Sequence, residues 1–285
     1  MTLVVEQPGL FSLVEDQGRA GLGHIGVSTS GAFDRNALRQ VNGLLGNERS
    51  AAAIEVLGGG LVLHAERSHL LAVTGGVGPL AIDGDPVSHG RILALHAGQR
   101  LELGTITAGV RACVGVAGGF VVARELGSAS TDTLAGLGPP ALSIGDRLDV
   151  GTPGSPPDIE DVPSLGVEGQ FSLDVILGPR DDWFTETAVR SLLEAPWQVS
   201  ADSDRIGVRL TGPRLDRARD GELPSEPCLR GSIQVTSDRQ PIVLGPDHPV
   251  TGGYPVIAVV IDAHTDRLSQ ARPGQTIRLH RRSLP

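Results

Sequence analysis

The chain has 285 residues, 40% of them hydrophobic and 20% charged, with a formal charge of −9 at neutral pH. That length supports one large domain or two small ones around a real core, and the composition is that of a folded globular protein rather than a disordered one. The acidic balance excludes a basic groove for nucleic acid, and no apolar run approaches the ~20 residues of a membrane span.

The first feature in chain order is a polar, glycine-rich block between Asp16 and Glu55: Asp16-Gln17-Gly18-Arg19, Gly26-Val27, Ser30-Gly31-Ala32-Phe33-Asp34, Asn42, Gly46-Asn47 and Glu55. Glycines let a backbone turn tightly, and acids, amides and an arginine beside such turns are groups that orient a polar ligand. Asp16, Arg19 and Asp34 are the candidate catalytic residues here, and Asn42 and Glu55 candidate substrate contacts. A purely structural reading stays open, in which Asp34 only caps a helix and Asn47 only closes its last turn. That helix is predicted over Asp34–Leu45, with Ala37, Leu38, Val41 and Leu45 on one face and Gly46 at its end.

Short strands follow at Leu61–Leu63, Leu70–Val73, Ile92–Leu95 and Val114–Ala117, and again at residues 174–177 and 256–261. A turn-then-strand phrase recurs at Gly98–Gly104, Gly145–Gly151 and Gly274–Leu279, each with alternating polar and apolar side chains. A second helix is predicted over Thr185–Leu193. Many short strands with two isolated helices predict a mainly β protein of closed or nearly closed barrels. The Pro-, Gly- and Ser-rich segment Gly151–Gly169 reads as a linker, which divides the chain into domains 1–160 and 161–285; a long surface loop is the alternative.

Two further constellations carry polar groups. In Leu126-Gly127-Ser128-Ala129-Ser130-Thr131, Ser128 and free amides after a strand end suit a carboxylate or other anion, although a plain Ser/Thr turn has the same composition. From Asp202 to Tyr254 the candidates are Arg205, Gln234, Thr251, Gly252, Gly253 and Tyr254. Tyr254 is the only tyrosine, and beside two glycines it offers ring stacking or a hydrogen bond; the other reading is a glycine turn feeding a buried strand.

All 24 basic residues are arginine. The chain therefore forms no Schiff base, carries no biotin on a lysine of its own and supplies no phosphate-loop lysine. Gly-x-Ser-x-Gly, His-Glu-x-x-His and Cys-x-x-Cys are absent, and the scattered histidines predict no metal site. Cys113 lies in an apolar run and is expected to be buried and inert, while Cys228 is a possible exposed thiol. The start of the chain lacks a basic segment followed by an apolar core, so a cytoplasmic, disulfide-free protein is expected.

Taken in order, the blocks resemble the Kip-type family, also described as allophanate hydrolase subunit 2 or the biotin-dependent carboxyltransferase family. Besides the phrases above, the resemblance rests on Pro8-Gly9-Leu10, Val116-Ala117-Gly118-Gly119, Gly145-Asp146, Ile176-Leu177-Gly178-Pro179, Asp204-Arg205-Ile206-Gly207, Gly231-Ser232-Ile233-Gln234-Val235 and Thr251-Gly252-Gly253-Tyr254-Pro255. It implies two cyclophilin-like β-barrel domains and a protein that works with a second Kip-type subunit, allophanate hydrolase subunit 1-like, and a LamB/YcsF-type subunit. The implied activity is that of an ATP-dependent 5-oxoprolinase opening 5-oxoproline to glutamate, with ATP shared among the subunits. The alternatives are the carboxyltransferase part of a biotin-dependent urea carboxylase system, with biotin on a separate carrier, or a regulatory partner without chemistry. One departure stands out: Ala129 occupies the place where members commonly have arginine.

Overall fold

The computed structural model describes residues 2–154, 161–163, 171–219 and 221–282. The chain divides into two compact units: Met1–Arg19, Ser30–Asp132 and Gly136–Val167 form one, and Ala20–Thr29, Thr133–Ala135 and Glu168–Pro285 the other. Most of the expected Gly151–Gly169 linker lies outside the described residues. Of its described part, Val162 donates its amide to the Gly90 carbonyl at 2.8 Å and its side chain packs in the first unit.

In the first unit the strands form two sheets. The seven-stranded sheet runs in the order Phe120–Val121, Arg147–Val150, Thr2–Pro8, Gly59–Ala65, Arg100–Thr105, Leu80–Ile82, Asp85–Pro86. The five-stranded sheet runs Phe11–Glu15, Ala53–Leu57, Ala108–Val116, His69–Val77, Leu93–Leu95. Alternation places one face of each inward: Leu61, Leu63 and Ala65 from the first sheet share a core with Val14, Ile54, Val56, Val73 and Val114 from the second.

Helix α1 (Arg35–Leu44) covers the other face of the five-stranded sheet. Its buried stripe of Ala37, Leu38, Val41 and Leu44 packs with Ala53, Ala72 and Cys113. Asp34 caps it, accepting the Ala37 amide at 2.8 Å. Cys113 is buried in this layer, and desolvation pushes its thiol well above the ordinary cysteine range.

The second unit contains a closed seven-stranded barrel: Phe171–Leu177, Val256–Val260, Ser232–Val235, Pro241–Leu244, Gly207–Thr211, Trp197–Val199 and Thr276–Arg281. Closure is made by parallel pairing of the last strand with the first, from Phe171 opposite Ile277 to Val175 opposite Arg281. Leu173, Val175, Ile233, Val243, Ile257, Ile277 and Leu279 are completely buried. Helix α2 (Glu186–Glu194) is capped by Thr185, and its Leu192 carbonyl accepts the buried Trp197 indole N–H at 2.9 Å. A third helix, α3 (Asp262–Leu268), follows strand Val256–Val260. No helix among the described residues is long and apolar enough to cross a membrane.

The mainly β class and a closed barrel are therefore present, with the first unit laid out as two sheets. All three turn-then-strand phrases form strands, Arg100–Thr105, Arg147–Val150 and Thr276–Arg281, with alternating burial.

Candidate functional site

The strand Phe11–Glu15 delivers Asp16 into the loop that holds residues 124–131, more than a hundred positions away in sequence. Asp16 is buried, and its two oxygens are heavily engaged. Oδ1 accepts from the Gly18 amide at 2.8 Å, the Ser128 hydroxyl at 2.6 Å and the Ser130 hydroxyl at 2.7 Å. Oδ2 accepts from the Ala129 amide at 2.8 Å and from Arg124 Nη1 at 3.3 Å. The carboxylate thus organises the Ser128–Ser130 turn, much as a buried anion is held by several amides and hydroxyls. Ser128 is completely buried, its hydroxyl also accepting the Ser130 amide at 3.0 Å.

Arg19 grips the same loop from its own side. Its Nη2 donates to the Ser130 carbonyl and its Nε to the Glu125 carbonyl at 3.4 Å. The residue is 3% exposed, and its Nη1 has no hydrogen-bond partner among the described residues. A buried guanidinium held by two neutral carbonyls, with one donor unsatisfied among the described residues, is the kind of group that calls for an explanation. The turn packed on Gln17 and Gly18 is also unusual. Ser30 and Gly31 are both left-handed, with φ of 53° and 86°, and a side chain on Gly31 would meet the Gln17 carbonyl carbon at 2.9 Å. Leu126, in the 124–131 loop, is a second non-glycine residue at positive φ, 51°. Such backbone conformations persist where the surroundings over-determine them, and they cluster at sites.

The remaining first-unit candidates have defined partners. Asp34 caps α1. Glu55 accepts the Phe33 amide at 2.7 Å and lies 3.5 Å from Arg111, whose guanidinium stacks 4.5 Å above the Phe33 ring. Asn42 donates to the Ala51 carbonyl at 2.9 Å and accepts from Asn47, which in turn holds the Val116 carbonyl and the Gly118 amide. Arg124, Asn47 and Ala129 line a cavity of about 450 Å³, within the usual range for small-molecule sites.

In the second unit Arg205 is buried and bidentate to Asp247, Nε to Oδ2 at 2.8 Å and Nη2 to Oδ1 at 3.0 Å. The Thr133 amide and hydroxyl also donate to Asp247 Oδ2, at 3.0 and 2.7 Å. Gln234 is buried and donates to Cys228 Sγ and the Tyr254 carbonyl, each at 3.3 Å. Gly252 sits against both side chains: a Cβ there would meet Gln234 Nε2 at 2.5 Å and Cys228 Sγ at 3.2 Å. Thr251 and Gly252 pair with Glu226 and Pro227 in a two-stranded ribbon, and Tyr254 beyond it is 43% exposed. Cys228 is buried rather than exposed, because Gln234 and the ribbon cover it, and desolvation raises its thiol above the ordinary range. Beside it, Arg180 hydrogen bonds hold Glu226 below the usual carboxylate range.

The structure thus brings Asp16, Arg19 and Ser128 together, gathers Asp34 and Glu55 about Phe33 at the start of α1, and places Asn42 near its end. Gln234, Gly252 and Tyr254 form a separate cluster, and Arg205 an ion pair. Sequence reasoning does not single out Arg124, the cation on Asp16, and it places Asp247 in the Asp202–Tyr254 constellation without pairing it with Arg205. Neither sits in a periodic or glycine-rich phrase, and each is paired across a long stretch of chain. Among the described residues no group of three or more His, Cys, Asp or Glu side chains is arranged to hold a metal.

The family model of the carboxyltransferase domain, subdomain A and B, matches residues 25–281. The chain is similar to the 5-oxoprolinase C subunit of Escherichia coli K12, 36% identical over 99% of this chain and 92% of that protein. It is also similar to the 5-oxoprolinase C subunit of Haemophilus influenzae, 35% identical over 95% of this chain and 88% of that one. Among solved structures, the urea amidolyase of Kluyveromyces lactis superposes with a TM-score of 0.92 at 29% identity, covering 99% of this chain. This chain spans only 19% of that enzyme. The chain belongs to the family of carboxyltransferase domains, subdomains A and B.

Proposed function

We propose that this chain is the C subunit of an ATP-dependent 5-oxoprolinase and takes part in the hydrolysis of 5-oxo-L-proline to L-glutamate. The observation that carries this reading is coverage in both directions. The chain matches nearly all of two proteins named as 5-oxoprolinase C subunits, but only 19% of the structurally similar urea amidolyase.

A γ-lactam gains little from ring strain, so its opening calls for negative charge on the carbonyl oxygen to be stabilised as it develops. Arg19 is the proposed donor to that oxygen, its buried Nη1 having no partner among the described residues. Asp16 acts one step removed, by fixing the Ser128–Ser130 turn on which Arg19 rests. Tyr254 and Gln234 are the proposed ligand contacts of the second unit. Arg205 has a different standing from Arg19, because its guanidinium is already bidentate to Asp247.

The chain has no lysine to grip a phosphate. ATP is therefore proposed to be held together with a second Kip-type subunit and a LamB/YcsF-type subunit in the cytoplasm. In the reconstituted assembly, Arg19→Gln is expected to lower kcat by about a hundredfold or more while leaving the melting temperature within a few degrees. Full kcat in that variant would remove Arg19 from the reaction. The family and the urea amidolyase superposition favour one second reading, carboxyl transfer to urea. It predicts urea-dependent consumption of added carboxybiotin, and none with 5-oxoproline.

A further inference from the structure

We propose that the 450 Å³ cavity of the first unit is a subsite for a small ligand with one carboxylate, held by Arg124, and that it does not accept a nucleotide triphosphate. The identity of the ligand rests on the 5-oxoprolinase reading, but its charge does not.

Arg124 is half exposed and lines the cavity. Of its five N–H donors, one Nη1 hydrogen goes to Asp16 and one to the Gly127 carbonyl, at 3.3 and 3.2 Å, and one Nη2 hydrogen to the Ser50 carbonyl at 3.4 Å. Among the described residues, Nε–H and the second Nη2–H have no partner. Donors on these adjacent nitrogens match the two oxygens of a carboxylate. Asp16 does not need the Arg124 charge for its own satisfaction, since two amides and two hydroxyls already donate to it. The guanidinium is anchored at one edge and available at the other.

The same walls disfavour a polyphosphate. A phosphate-binding loop presents free backbone amides. Here several of the lining amides are engaged: Gly46 with Gly43, Asn47 with Asn42, Ala51 with Glu48, Gly119 with Val116 and Phe120 with Ala52. Gly118 donates to the Asn47 side chain and Ala129 to Asp16. Arg124 is already ion-paired with Asp16, and Glu48 lines the cavity as well, so a carboxylate is held by the two donors on Nε and Nη2 rather than by excess positive charge, and each further negative charge on a ligand meets Glu48 unopposed. Three phosphates would add several such charges.

The test is calorimetric titration of the full chain with 5-oxo-L-proline, 2-pyrrolidinone (the same lactam without its carboxylate), glutarate and Mg·ATP. We expect 5-oxo-L-proline to bind at least about tenfold tighter than 2-pyrrolidinone, and Mg·ATP not to compete. Arg124→Gln should erase that difference at an unchanged melting temperature. Glu48→Gln should narrow the preference for 5-oxo-L-proline over the dianion glutarate. Equal binding of the two lactams, no binding of 5-oxo-L-proline, or competition by Mg·ATP overturns the proposal. If Arg124→Gln fails to fold, the lactam pair and Glu48→Gln decide. The two readings fail separately. An assembly that turns over 5-oxoproline with unchanged KM in Arg124→Gln sinks the subsite alone. Arg124-dependent binding to an assembly that makes no glutamate sinks the activity alone.

Discussion

Two arginines in similar sequence settings, Arg19 after Gln17-Gly18 and Arg205 before Ile206-Gly207, are both buried, yet they meet opposite surroundings. Arg205 is neutralised by Asp247, 42 residues on. Among the described residues Arg19 has only carbonyls, and its Nη1 has no partner. The sequence marks both as arginine beside glycine, and nothing local separates them, because the deciding partner is distant. Arg205→Ala removes a bidentate counter-charge from the buried Asp247 and should destabilise the protein by about 3–5 kcal/mol. Thermal or denaturant unfolding reads this directly, and a change under about 1 kcal/mol would mean that the pair contributes little. Asp16 shows the same limit in reverse. Its phrase is conspicuous in the sequence, but its partners Ser128, Ala129 and Ser130 lie over a hundred residues away.

At the scale of elements, local chemistry is more informative. The Asp34 cap, the four-residue apolar stripe and the glycine stop define α1 from sequence to within a residue of its observed span. The alternating phrases after Gly98, Gly145 and Gly274 define three strands. Helix α3 escapes a sequence reading because it is seven residues long, follows an apolar strand directly and has no side-chain cap to announce it. The ribbon of Glu226–Pro227 with Thr251–Gly252 is legible only as glycine and a turn. Its tight contact with Gln234 and Cys228 explains why residue 252 has no side chain. Gly252→Ala should therefore cost about 1–3 kcal/mol by overpacking. A lowered midpoint of denaturant unfolding at unchanged slope would show it; an unchanged midpoint would mean that Gln234 swings aside.

For the molecule as a whole, composition and strand spacing lead to the mainly β class. The layout of two sheets in one unit and a closed barrel in the other depends on long-range pairing. Barrel closure joins Phe171–Leu177 to Thr276–Arg281, near opposite ends of the unit's longest segment, Glu168–Pro285. The assignment of Ala20–Thr29 and Thr133–Ala135 to that unit is equally non-local, since each is flanked in sequence by first-unit residues. Function at this scale rests on likeness along the whole chain, with Arg19 as its proposed chemical focus. The decisive measurement follows ADP release and glutamate formation together, in an assembly reconstituted with and without this chain. 5-Oxo-L-proline is expected to drive both products in equal amounts only when the chain is present; no glutamate with every partner subunit supplied would contradict the proposed activity.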